Sequence, residues 1–427
     1  MNGRRSRGRP GWRGGACALI LQAAAAAQQS VDDKAPPTGA AAAPAQLPIA
    51  GYDGGFFIQS PDGTFRFTLG GLLQVRGTAF EGGLEGRTSQ FELERMRFEL
   101  GGDFYDRYHF NVEPKFTESE VELEEAWIGS DLGRGGPRLL LGRMKEPFSL
   151  EEMLPRKHFD FPTFSILNQF VPAEDQGVTL LGGSLDAPFE YGAALYNGTG
   201  GDDLNNDKDV AGRLVFRPWA RQEESLLRRL QFGGAVTYGN QDADLAGAEL
   251  VTEAKAPFLV LEPGSRADGE RTRVGLEAAW LVGPGAISAE VIRVNQELSG
   301  TGGDVRGDTT GWYVSASWIL TGEEKSFRGV KPAHPLTGSS SGPGALQLAL
   351  RYSELDLDEE LVDGGLVAAS SFPDGVRTWD LGLNWYTTAY TKVMLHFLRT
   401  DYEQDITIQG DSRGSENALL LQFQMHF

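Results

Sequence analysis

The chain has 427 residues, with 39 Lys+Arg against 59 Asp+Glu, a net charge of −20 and a single cysteine. The acidic balance excludes nonspecific nucleic-acid binding, which runs on Lys/Arg contacts to phosphate, and one cysteine excludes a disulfide framework or a Cys-based zinc site. No run of 18 or more apolar residues writes a transmembrane helix, but a membrane β-barrel stays open, because its strands alternate apolar and polar residues and look hydrophilic on average.

Residues 1–27 predict a secretory signal. Arg4, Arg5, Arg7, Arg9 and Arg13 precede an apolar stretch centred on Leu19, Ile20 and Leu21, which ends in Ala25-Ala26-Ala27. That is the order of basic, apolar and cleavage regions in an export signal. Cys17 falls inside this segment without an apolar run before it, which argues against a lipid anchor. Residues 28–50 read as a flexible Pro/Ala-rich lead-in. Residues 51–427 show no further break in composition and read as one domain.

From Phe65 onward the recurring signal has period two, the signature of strands. Phe65, Phe67, Leu69, Leu73 and Val75 alternate with Arg66, Thr68, Gln74 and Arg76. Trp312, Val314, Ala316, Trp318 and Leu320 oppose Tyr313, Ser315 and Ser317. Trp379, Leu381, Leu383 and Trp385 oppose Thr378, Asp380 and Asn384, and Leu419, Leu421, Phe423 and Met425 oppose Gln422 and Gln424. The pattern yields sixteen candidate strands, starting near residues 64, 91, 104, 120, 138, 178, 189, 209, 230, 272, 286, 311, 344, 376, 391 and 417. Most run about ten residues, the length a tilted strand needs to cross a bilayer core.

The connections alternate in kind. One rim has mostly short turns, and the other has longer loops at 81–90, 146–177, 198–208, 241–271, 297–310, 355–375 and 403–416. Short turns on one rim, long loops on the other and an even strand number are the layout of an outer-membrane barrel. Residues 218–229 and 322–343 are long yet fall on the short-turn rim, so the count holds to within two strands. Alternation alone does not separate a lipid face from the core face of a soluble sandwich, so a secreted non-channel β protein stays open. The export signal, the terminal Phe427 and aromatics at strand ends (Trp127, Trp312, Tyr386, Tyr390 and Tyr402) favour the barrel. An enzyme in a barrel wall would need a Ser/His pair with an orienting partner. His109, His158, His334, His396 and His426 are scattered, and no G-x-S-x-G occurs. The acidic run Asp202–Asp209 lacks the Gly and distal Glu of an EF-hand loop and reads as a solvated tip. No catalytic residue, metal site or cofactor is implied.

Five segments resemble the phosphate-selective porin O and P family: GRMKEPFSLEE (Gly142–Glu152), FVPAEDQGVTLLGG (Phe170–Gly183), ILTGEEKSF (Ile319–Phe327), RYSELDLDE (Arg351–Glu359) and GLNWYTTAYTKVMLHF (Gly382–Phe397). The stretch from Gly51 to Gln74 is also similar to the start of that family's barrel. The resemblance implies a homotrimeric, all-β, sixteen-stranded transmembrane antiparallel barrel in the bacterial outer membrane, in contact with lipid and lipopolysaccharide, passing small anions such as phosphate. It also implies that the Pro- and Phe-rich segment 146–177 is a constriction loop folded into the lumen.

A pore selects anions by lining its narrow part with Arg or Lys, and the planar fork of Arg suits phosphate. Positions opposite the apolar faces give Arg66, Arg76, Arg95, Arg97 and Lys115. Arg143 and Lys145 lead into the constriction loop, which carries Arg156 and Lys157. Arg213, Arg217, Arg273 and Arg351 are further candidates. General, weakly selective porins also carry basic residues facing acids across the pore. Glu92, Glu94, Glu99, Glu113, Glu122, Glu124 and Glu125 could build such a ladder, so that alternative stands beside anion selectivity.

Overall fold

The period-two segments form a single sheet that rolls up and closes on itself. A computed structural model describes residues 49–81, 89–117, 120–200, 206–339, 341–408 and 410–427. The export signal, most of the lead-in and the acidic run up to Asn205 lie outside the described residues. Ile49 and Ala50, at the end of the lead-in, are already strand.

In chain order the barrel strands are β1 (Phe65–Phe80), β2 (Gln90–Phe104), β3 (Tyr108–Phe116), β4 (Val121–Asp131), β5 (Arg138–Lys145), β6 (Glu174–Gly183), β7 (Phe189–Tyr196) and β8 (Asp209–Phe216). They continue as β9 (Leu230–Asp244), β10 (Arg266–Val282), β11 (Gly285–Gly300), β12 (Gly303–Ile319), β13 (Ala345–Asp356), β14 (Gly375–Tyr386), β15 (Thr391–Ile408) and β16 (Asp411–His426). Each pairs antiparallel with its sequence neighbour, and β16 closes on β1 in the register Ala418↔Phe80 to His426↔Leu72. All sixteen expected strands are present. Below that seam an N-terminal hairpin (Ile49–Tyr52 and Phe56–Gln59) occupies the rest of the same edge, from Phe56↔Leu69 to Gln59↔Arg66.

Which face is polar decides between a sandwich and a membrane barrel. Leu348, Leu350, Trp379 and Leu381 are 41–56% exposed, whereas Gln347, Arg351, Asp380 and Asn384 on the same strands are at most 1% exposed. Apolar residues outside and charges within invert the arrangement of a soluble fold and match a barrel whose outer face meets lipid. Closure pairs the strand edges, the condition for crossing hydrocarbon with a sheet. The aromatic assignment needs correction. Tyr386 and Tyr402 point into the barrel, at 5% and 7% exposure, and Trp127 packs on the buried Leu140, Met144 and Tyr196. Phe189, Trp318, Trp379 and Trp385 are among the aromatics on the outside.

Two loops expected on the outer rim are strand instead. β11 and β12 run on to Gly300 and Gly303, and β15 and β16 to Ile408 and Asp411, so 297–310 is a hairpin and 403–408 pairs with 411–416, both extending past the membrane. Beyond the bilayer both faces of a strand meet water and alternation disappears. Cross-strand pairs such as Arg293–Asp308 and Arg377–Glu403 replace it.

Two long connections fold inward. The expected constriction loop 146–177 does so over 146–173, its end from Glu174 on being β6, and 245–265 joins it, carrying a hairpin (Glu249–Val251 and Pro257–Val260) into the lumen. Phe148, Ile166 and Leu167 from the first and Phe258 and Leu259 from the second meet Leu366 and Phe372 of the 357–374 connection. They pack on the inward residues Ile292, Tyr313, Leu355 and Tyr402. Each such side chain gains about 1.5–3 kcal/mol on burial, enough together to hold the loops inside. The long connections on the short-turn rim lean on each other: Arg229 pairs with Glu324 at 2.8 Å and donates to the carbonyl of Lys325 at 3.1 Å.

Candidate anion path

The constriction loop is fixed to the wall before any cargo arrives. Its single helical turn α1 (Leu150–Met153) is capped by Ser149, and Glu290 of β11 accepts the Leu150 and Glu151 amides at 2.7 and 3.0 Å. Glu151 in turn accepts the Ser165 amide and hydroxyl at 3.0 and 2.6 Å. Arg351 of β13 donates to Glu151 at 2.9 Å, to the Thr163 carbonyl at 3.1 Å and to Glu253 of the second inserted loop at 2.5 Å. One guanidinium therefore fastens both loops to the barrel, with Phe161 stacked 4.4 Å from it. Arg351 is a structural clamp, which removes it as a free anion ligand.

Most of the cations read from the sequence are neutralised. Arg66 sits at the foot of β1 against the N-terminal hairpin, 3.4 Å from Asp53 and over the Phe57 ring. Arg76 pairs with Glu94 at 3.1 Å and donates to the Pro162 carbonyl at 2.7 Å. Arg97 meets Glu124 at 2.8 Å and both Glu99 and Glu113 at 3.3 Å. Lys115 pairs with Glu122, Lys145 with Glu152 and Lys157 with Glu99, at 3.0, 3.0 and 2.6 Å. Arg143 donates to the carbonyls of Leu123 and Gly200. Arg213 pairs with Glu277, Arg217 with Glu190, and Arg273 lies 3.9 Å from Asp209.

Like Arg143, Arg95 and Arg156 pair with no carboxylate among the described residues; Arg95 donates to Gln74 at 2.8 Å and Arg156 to the Pro162 carbonyl at 3.3 Å. Arg95 and Arg156 line one cavity of about 490 Å³ together with Lys115, Lys255, Thr163 and Asn168 and with the carboxylates Glu94 and Glu253. Nε of Arg95, Nε and Nη1 of Arg156, Oγ1 of Thr163 and Oδ1 of Asn168 are buried, closed to solvent and without a hydrogen-bond partner, as is Nε of Arg97, Arg271, Arg273, Arg351 and Arg413 elsewhere. Burial, and then repulsion from Arg95, push the Arg156 guanidinium down to about 9, so it is still cationic at neutral pH. The ring of Phe164, 3.7 Å away, supports its plane.

A β-bulge sets this geometry. Gln74 pairs with Arg95 and Val75 with Leu93, so Glu94 is the extra residue and faces inward beside Arg95. The sequence carries a trace of it, since Glu92 and Glu94 are in one phase and Arg95 and Arg97 in the other. Lys255, Thr163 and Asn168 are not foreseeable from strand alternation, because all three sit on inserted loops.

A closed antiparallel barrel that is apolar outside and charged within, with loops folded into its own lumen, is an outer-membrane porin, a water-filled channel for small hydrophilic solutes. The chain belongs to the family described as phosphate-selective porin O and P, which matches residues 73–427. Porin O of Pseudomonas aeruginosa is 23% identical over 87% of this chain and 91% of its own length. An uncharacterised protein of Caulobacter vibrioides is 26% identical over 75% of this chain and 65% of its own. The barrel resembles the outer membrane channel DcaP of Acinetobacter baumannii (TM-score 0.54, 12% identity, 89% and 100% of the two chains). It also resembles an anion-selective porin from Comamonas acidovorans (0.52, 12%, 85% and 100%) and a trimeric form of OmpT of Vibrio cholerae (0.52, 11%, 85% and 100%).

Proposed function

We propose that this porin favours small anions such as phosphate and that Arg95 and Arg156 form its selecting pair. The observation that carries the reading is that Arg95 and Arg156, which pair with no carboxylate among the described residues, line one lumen cavity together with Lys115 and Lys255. Two cations close together raise the local anion concentration without a deep trap, and a conducting site must release what it binds. The family description and the relative named Porin O fit phosphate as cargo. The remaining candidates, Arg66, Arg76, Arg97, Lys115, Arg143, Lys145 and Lys157, act as a ladder that orients solutes or holds loops. The lipid-facing surface contacts outer-membrane lipid and lipopolysaccharide, and by analogy with the trimeric neighbour the working assembly is a homotrimer.

The test is the reversal potential of the purified protein in a planar bilayer under a salt gradient. Wild type should be anion-selective, and Arg95→Glu with Arg156→Glu should move the potential toward the cation side. Acids neutralise Arg97, Lys115, Lys145 and Lys157, which supports a general, weakly selective porin as the second reading. A wild-type potential near zero that the double substitution leaves in place would establish it.

A further inference from the structure

We propose that Lys255, on the tip of the second inserted loop, is a selectivity-determining residue whose charge cancels an excess of carboxylate on the wall and keeps the passage basic. This rests on the anion-channel reading above. The hairpin Glu249–Val251 and Pro257–Val260 springs from the β9–β10 connection, yet its turn touches strands on the opposite side of the closed sheet. Thr252 donates to Glu416 of β16 at 2.6 Å, and the Lys255 ammonium pairs with Glu94 of β2. The loop is an arm laid across the lumen, and solutes pass beside it.

The turn at the end of the arm separates its two charged side chains. Glu253 points back to the wall, where it is buried and accepts from Arg351 and Ser353, both at 2.5 Å. Lys255 lines the cavity shared with Arg95 and Arg156. Its side chain is 47% exposed, against 23% for Lys115, while Arg156 is buried. Of these cations it is the one most open to a passing ion. Its backbone is left-handed, with φ at 65°, a conformation that strains any residue with a Cβ and that glycine takes freely.

The charges around it balance. Glu92 and Glu94 flank Arg95 on β2, and Arg76 reaches Glu94 at 3.1 Å and Glu92 at 3.9 Å. Lys255, besides meeting Glu94, lies 3.9 Å from Glu92. Two cations cancel two carboxylates, so the field of Arg95 and Arg156 is left in force. Without Lys255 the group carries one net negative charge beside the selecting pair.

The experiment measures the reversal potential of the mature protein in planar bilayers under a salt gradient. Lys255→Gln should lower the anion-to-cation permeability ratio about threefold, the scale of one unit charge acting across several ångströms of water. Lys255→Arg should keep the wild-type potential. Lys255→Gln with Glu94→Gln removes one charge of each sign and should return to it, although the contact between arm and wall is gone. Lys255→Gly should show the same loss as Lys255→Gln with a thermal midpoint at or above that of wild type, which separates the charge from the fold. A wild-type potential in Lys255→Gln or Lys255→Gly, or a shift that Glu94→Gln does not reverse, overturns the inference and leaves Lys255 as a fastening of the arm, while an anion-selective wild type keeps the channel reading intact. A cation-selective wild type overturns both.

Discussion

His158 shows how a single group can tie the lumen to pH. It sits on the constriction loop with its ring 5.6 Å from that of His426 of β16. Burial, followed by His426, Lys157, Lys392 of β15 and Lys325 of the 320–344 connection, pushes its pKa down from 6.5 to about 3. A histidine depressed in the folded state is neutral there, while the unfolded loop takes up a proton below its ordinary pKa. The docked tip therefore loses stability as pH falls from about 6.5 toward 3. Lowering pH across that window should reduce the thermal midpoint of wild type more than that of His158→Gln, and parallel curves would count against the assignment. Which face each strand residue takes was readable from alternation for Gln74, Arg76, Asp380 and Asn384. Which acid each base meets was not: Lys157 and Glu99 are 58 positions apart and join only because a loop folds inward.

Among the elements, the two inserted loops share one anchor. Replacing Arg351 by Ala would leave Glu151 and Glu253 buried opposite no cation, a change that typically costs about 3–5 kcal/mol. Because both loops are also held by apolar packing, the barrel should persist while the loops loosen. The expected outcome is higher and noisier single-channel conductance in Arg351→Ala, measured in planar bilayers; a conductance trace identical to wild type would remove the clamp from the account. Strand starts were legible because each crossing has a lipid side. The overhanging halves of β11, β12, β15 and β16 were not, since alternation fades where both faces are wet. The inward course of 245–265 was missed because its charged residues resemble those of a surface loop. The apolar run Pro257–Leu261 was the overlooked sign, as a solvated tip has no use for two fully buried residues such as Phe258 and Leu259.

At the scale of the whole molecule the lumen has two halves with different duties. The apolar core lies against β9 and β11–β15 and braces the loops. The ion-paired ladder and the candidate cavity lie against β2–β4 and the exposed side of those loops. The chain as a whole carries a net charge of −20. Several of its acids sit on overhanging hairpins, as with Asp308 and Glu403, paired there with arginines.

The seam between β16 and β1 also bears on how the molecule comes into being. Phe427 exchanges both backbone hydrogen bonds with Gly71, at 2.9 and 3.1 Å. A Cβ on Gly71 would lie 2.7 Å from the Phe427 ring, so a larger residue there would require that ring to shift. Contacts between the two ends span some 350 positions, as in the Gln74–Gln424 pair, and pairings so distant in sequence are the slowest to form. Until they form, β1 presents an unpaired edge that hydrocarbon does not tolerate. Assembly is consequently a process with no stable halfway product. A chain lacking 411–427 should accumulate as aggregate or be degraded, and should not insert as a fifteen-stranded channel, which heat-modifiable gel mobility would distinguish. Pairing of β16 with β1 is therefore the step that completes the barrel.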